Sequence, residues 1–115
     1  MQPLKKIKAF FYATDTGNEP VRVWLKSLDA ADRKTIGDEI AVVEFGWPVG
    51  MPVCRALGNG LWEVRVQIDG NRNARILFAI EGEQMVLLHG FIKKSRKAPK
   101  QDLELAVKRW KAISK

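Results

Sequence analysis

A run of backbone breakers, Gly46, Pro48, Gly50 and Pro52, divides the chain into two stretches with different hydrophobic periods. Before it, apolar residues recur at helical spacing; after it, they alternate. A chain that changes period in this way builds its helices and strands in blocks. That points to an α+β fold with a mainly antiparallel sheet rather than to repeated β-α units.

The elements follow from local signals. Leu4 to Ala13 reads as a first strand, and Thr14-Asp15-Thr16-Gly17-Asn18 as a turn. Pro20 suits the first position of a helix, where its missing N–H costs nothing. Val21, Trp24, Leu25 and Leu28 give that helix one apolar stripe. Asp29 is placed to cap a second helix running to about Glu44, with Ile36, Ile40 and Val43 on its stripe and Gly37 weakening it. Beyond the breakers, Leu61–Ile68, Arg75–Ile80 and Gln84–Ile92 read as strands joined at Asp69-Gly70 and at Glu81-Gly82-Glu83. A basic loop, Lys93 to Lys97, leads to Pro99 and a last helix with Leu103, Ala106, Val107, Trp110 and Ile113 on its apolar side. The expected order is β-α-α-β-β-β-α over a single domain, residues 1–115. A helical hairpin packs on a small sheet, and a C-terminal helix completes the fold.

Composition narrows the function classes. Hydrophobic residues make up 46% and there are four Trp, enough for a core without covalent staples. Cys54 is the only cysteine and His89 the only histidine, so neither a disulfide framework nor a zinc site is expected, and no metal or cofactor. The start of the chain is too short and charged for a signal peptide, and no apolar run approaches the ~20 residues of a membrane span. A cytoplasmic protein with no membrane partner is expected.

The net charge of +7 is unevenly placed. Residues 1–90 carry eleven basic and eleven acidic side chains; residues 91–115 carry nine basic and two acidic ones. The whole excess therefore sits at the C-terminal end, among it Lys93, Lys94, Arg96, Lys97 and Lys100. This is the footprint of a polyanion-binding surface, or else of a solubilising tail.

Alternation sorts the side chains of the strands. Trp62, Val64 and Val66 share one face with the core, which leaves Leu61, Glu63, Arg65 and Gln67 on the other. In the next strand Ile76, Phe78 and Ile80 oppose Arg75, Leu77 and Ala79. Normal hairpin register brings Arg65 and Arg75 together on one face. Two guanidiniums there require an anion or a carboxylate between them, and Glu63 is placed to be that carboxylate. The third strand delivers His89 just before Lys93, Lys94, Arg96 and Lys97. Cutting a phosphodiester requires a base, an acid and cations around the phosphorus, which arginines and crowded lysines can supply. A lone histidine such as His89 at the end of an apolar strand is more often structural than catalytic. Trp47, off any stripe, is expected to cover a core edge.

Three segments in order carry a resemblance: Leu57-Gly58-Asn59-Gly60-Leu61-Trp62-Glu63-Val64-Arg65, Ala74-Arg75-Ile76-Leu77-Phe78, and Leu88-His89-Gly90-Phe91-Ile92-Lys93-Lys94-Ser95-Arg96-Lys97-Ala98-Pro99. Together they resemble the phage-derived, HigB-like branch of the RelE/ParE toxin superfamily. The resemblance implies a RelE-like fold and a toxin that cleaves mRNA on the ribosome without metal. It implies a helix-turn-helix antitoxin as partner. Arg65 and Arg75 match the family's phosphate-binding basic residues, Lys94 matches a basic position at the end of the last strand, and Lys93 adjoins it. His89 and Lys93 are the candidate general bases. Arg96, Lys97 and Lys100 extend the RNA-binding surface. Two alternatives remain at this point: a ParE-like toxin that inhibits DNA gyrase by binding, and a non-enzymatic phage-derived regulator that binds nucleic acid.

Overall fold

The computed structural model describes residues 4–94 and 100–113. It holds five strands and three helices: β1 (Lys8–Phe11), α1 (Pro20–Lys26), α2 (Ala30–Gly46), β2 (Cys54–Gly58), β3 (Leu61–Ile68), β4 (Arg72–Glu81), β5 (Gln84–Lys93) and α3 (Lys100–Ile113). The sheet order is β1-β5-β4-β3-β2. Only β1 joins in parallel, against β5; the other pairs are antiparallel. The α+β class, the helical hairpin and the C-terminal helix are as expected, and the architecture agrees with a RelE-like fold.

One strand was not expected. Cys54–Gly58 pairs with β3 at the sheet edge, where the breakers had suggested irregular chain. Its sequence, Cys-Arg-Ala-Leu-Gly, has little intrinsic strand preference, and pairing with β3 supplies what the sequence lacks. β1 is shorter than Leu4 to Ala13. Its outward backbone is partly occupied, because the Ala9 N–H donates to the Glu44 carboxylate of α2 at 2.8 Å.

Pro20 opens α1 at its first turn, as its fixed φ favours. Asp29 stands at the N-cap of α2, but its side chain makes no capping bond. α1 and α2 lie on one face, closing a core of Val21, Ile36, Ile40 and Val43 against Val64, Val66, Ile76, Phe78 and Leu87. Trp47 covers the edge of this core as expected, edge-on to Trp62 at 5.0 Å and to Phe78 at 5.7 Å. Gly90 sits so close beneath Trp24 that a Cβ there would collide with the indole. At the α2 entrance, Asp32 is buried and takes both carboxylate bonds from Arg72, at 2.9 and 3.2 Å, tying the helix to the start of β4. On the opposite face α3 packs Ala106, Leu103, Val107 and Trp110 against Leu61, Leu77, Ala79, Val86 and Leu88.

β5 carries a bulge. Phe78 pairs with Leu87, but Leu77 pairs with His89, so Leu88 is an extra residue. Leu88 and His89 both serve the α3 face, and alternation resumes one step out of phase. Gly90 and Ile92 then turn to the α1 side, Phe91 and Lys93 to the α3 side.

Candidate nucleic-acid site on the open half of the sheet

α3 covers only part of its face. Beyond it, toward the end of β3 and the start of β4, the same face carries charged residues. Arg65 and Arg75 are direct cross-strand partners, as the hairpin register predicted. Arg75 is buried, only 6% exposed. Its one ion pair among the described residues is with Glu63, at 4.0 Å from Nε to carboxylate oxygen. Burial, and then the charge of Arg65, pull the Arg75 pKa below the ordinary guanidinium value, and Glu63 pulls it back. A guanidinium so placed still carries its charge at neutral pH.

The balance of charge at this point matters. Two guanidiniums face each other, and one carboxylate lies at the long limit of an ion pair. Bringing an anion into this cluster adds attraction where desolvation is already in place. Arg75 also donates to the Ala74 carbonyl at 3.0 Å, which fixes the orientation of its planar fork.

Two hollows meet at Arg75. The smaller, about 120 Å³, is lined by the charged side chains of Arg55, Glu63, Arg75 and Lys93 and by the apolar ones of Leu57, Leu77, Phe91 and Leu103. The larger, about 450 Å³, runs along the β2 side past Arg65, Gln67, Asn73 and Met51, with Glu39 of α2 on its wall. Arg65 reaches across it to the Met51 sulfur at 3.6 Å. The result is a groove with Arg75 at its middle.

The sequence-predicted residues divide. Arg65, Arg75 and Lys93 come together on this groove. Lys94 is exposed just past the end of β5. Lys100 is exposed at the start of α3, 3.9 Å from Glu104. Arg96 and Lys97 lie outside the described residues. His89 faces α3 rather than the groove: its Nε2 meets Asp102 at 2.5 Å, and its Nδ1 lies 3.5 Å from Arg109. Arg109 also donates to the Leu88 carbonyl at 2.7 Å and lies over the Tyr12 ring.

Three residues of the groove were not counted among its functional side chains. Glu63, expected as an ion-pair partner, lines the same pocket as Arg75 and Lys93, with its carboxylate 4.0 Å from Arg75. Its signal was its position two residues before Arg65 on one strand face. Arg55 belongs to the strand that periodicity missed, so no signal placed it opposite Glu63. Phe91, adjacent to the basic run, is half-buried in the pocket lining.

Among the described residues no helix is long and apolar enough to cross a membrane, and no three His, Cys, Asp or Glu side chains gather as a metal ion would need. No functionally curated protein matches the sequence. A family model does match, over residues 23–111, which takes in α2, the breakers, β2 to β5 and most of α3. The chain thus belongs to the phage-derived Gp49-like protein family (DUF891), a family associated with RelE-like toxins.

Proposed function

We propose that this chain is the toxin of a type II toxin–antitoxin pair, of the HigB-like branch of the RelE/ParE superfamily, and that it cleaves mRNA on the translating ribosome as a metal-independent endoribonuclease. The observation that carries this reading is the buried Arg75, set opposite Arg65 and beside Glu63 on an open groove.

In the reaction, the 2′-hydroxyl oxygen bonds to the adjacent phosphorus and the 5′-oxygen of the next nucleotide leaves. The products are a 2′,3′-cyclic phosphate and a 5′-hydroxyl end. Arg75 and Arg65 hold the phosphate oxygens, where negative charge grows in the transition state. The carboxylate of Glu63 accepts the 2′-hydroxyl proton, and the Lys93 ammonium donates one to the leaving oxygen. These cations supply the charge compensation that other nucleases draw from a bound metal. Ribosomal positioning of the mRNA adds the orientation that a shallow groove does not provide by itself. The groove also offers a site for the inhibitor: a helix-turn-helix antitoxin encoded beside the toxin covers Arg75 and Lys93 with a helical or acidic segment.

The test is induced expression in a bacterial host with mapping of new mRNA 5′ ends within minutes, beside an Arg75→Met control. New ends inside translated frames, absent from the control and lost when translation is blocked, are the expected result. Toxin stripped of metal with EDTA and desalted before it meets the ribosome should cleave as well as untreated toxin. Growth arrest with intact mRNA and damaged DNA would overturn the reading in favour of gyrase inhibition.

A further inference from the structure

Endonuclease chemistry uses the charged side chains of the smaller pocket and leaves its apolar lining without a task. A phosphate has no use for Leu57, Leu77, Phe91 and Leu103 beside it. A flat group with apolar faces and hydrogen-bonding edges does.

Phe91 is held in place from behind. The His89 ring stacks on it, with centroids 5.6 Å apart and planes 23° from parallel. His89 is in turn fixed by Asp102 at 2.5 Å, on a helix that Arg109 anchors to the Leu88 carbonyl. The bulge at Leu88 is what turns His89 to this side of the sheet. The aromatic platform is therefore ordered before any ligand arrives, which lowers the entropic cost of stacking on it. The same pocket is lined by donors on Arg55, Arg75 and Lys93 and an acceptor on Glu63, a net charge of +2.

We propose that the pocket beside Arg75 is a nucleobase subsite for single-stranded RNA, in which one unstacked base lies on Phe91 while Arg75 holds the neighbouring phosphate. The proposal rests on the endonuclease reading and deepens it. Phe91 is then the base-stacking residue of the subsite, and His89 and Asp102 are its positioning residues. Three cations around an aromatic ring favour a nucleotide over the apolar side chain of a protein. Stacking accepts every base, so any preference comes from the edge contacts to Arg55, the charged group of the pocket that the cleavage reaction leaves unused.

The experiment is a binding titration by fluorescence anisotropy at low salt. The probe is a labelled six-nucleotide RNA, together with six versions in which each position in turn is abasic. Wild type, Phe91→Leu and Phe91→Trp are compared after thermal melts establish that each is folded. At one position the abasic residue should weaken wild-type binding on the order of tenfold. Phe91→Leu should bind the intact RNA about tenfold more weakly and lose that sensitivity. Phe91→Trp should retain it. The scan on the wild type tests the subsite even where a variant does not fold. RNA binding that depends on Arg75 but responds to no abasic position, or responds equally in Phe91→Leu, overturns the subsite and leaves the endonuclease reading standing. Absence of any RNA binding, together with intact mRNA in cells, removes both.

Discussion

Under α1 and α2, fourteen buried residues of the described chain form one apolar cluster, from Ile7 to Leu87; under α3 the buried cluster has six. The strands β3, β4 and β5 furnish both. On the first face, apolar residues run the length of β3 and β4: Val64, Val66, Ile68, Ala74, Ile76 and Phe78. On the second they stop halfway, at Leu61, Leu77 and Ala79, and give way to Glu63, Arg65 and Arg75. α2 spans seventeen residues and closes its face, whereas α3 spans fourteen and meets only the apolar half of its own. Stability is thereby concentrated on one face, and the other is left half open.

The sharpest way to break this contrast is to cut into the closed face. Phe78→Ala removes the largest fully buried side chain, beneath Trp47. It should cost about 3–5 kcal/mol in urea unfolding. A loss of less than about 1 kcal/mol would mean that the hairpin does not carry the fold.

Cys54 probes the same face by pH. Its thiol is buried in the hairpin-side core, and burial, followed by the charge of Glu39, pushes its pKa from an ordinary 9.0 up to about 11. The folded chain therefore keeps this proton where the unfolded chain has lost it. Stability should fall as pH rises between 9.0 and about 11, by as much as about 2 kcal/mol across that window. Cys54→Ala should remove that part of the slope, which pH-dependent urea titrations would read. An identical slope in both proteins would show that the thiol is not sealed from water.

The smallest stability effect is expected on the open face. Arg75→Met exchanges a buried charge with one long ion pair for an apolar side chain of similar length. Paired with Glu63→Gln, so that no buried carboxylate is left without its partner, it should keep stability within about 1 kcal/mol of wild type while mRNA cleavage is lost. A large loss of stability would make Arg75 a structural residue and erase the contrast between the faces.

Much of this division was legible before any coordinates. Strict alternation in β3 and β4 placed Trp62, Val64 and Phe78 in the core and Arg65 beside Arg75, because a strand has only two faces and one must be apolar. Trp47 was legible by elimination, having no stripe of its own. β2 was not. A five-residue edge strand containing Arg, Ala and Gly takes its conformation from its neighbour, and with it Arg55 went unseen. The aim of His89 was equally hidden. Phase is read by counting residues along a strand, and the extra residue at Leu88 leaves the composition of β5 unremarkable. Glu63 was visible as a carboxylate near arginines, but the pocket that gives it chemistry is made by β2, β5 and α3, which no local window contains.

The bulge also bears on how a gene of this kind tolerates insertions and deletions. In a regular strand, loss of one codon inverts every side chain beyond it, so Phe91 and Lys93 would turn under α1 and Ile92 would surface in the groove. Leu88 is the place where β5 already holds one residue more than its partner. Loss of that codon would return the pairing to plain alternation and leave Gly90, Phe91 and Lys93 facing as they do now. The phase of Phe91 and Lys93 thus survives the loss of one residue at Leu88 or His89 and is inverted by the loss of Gly90.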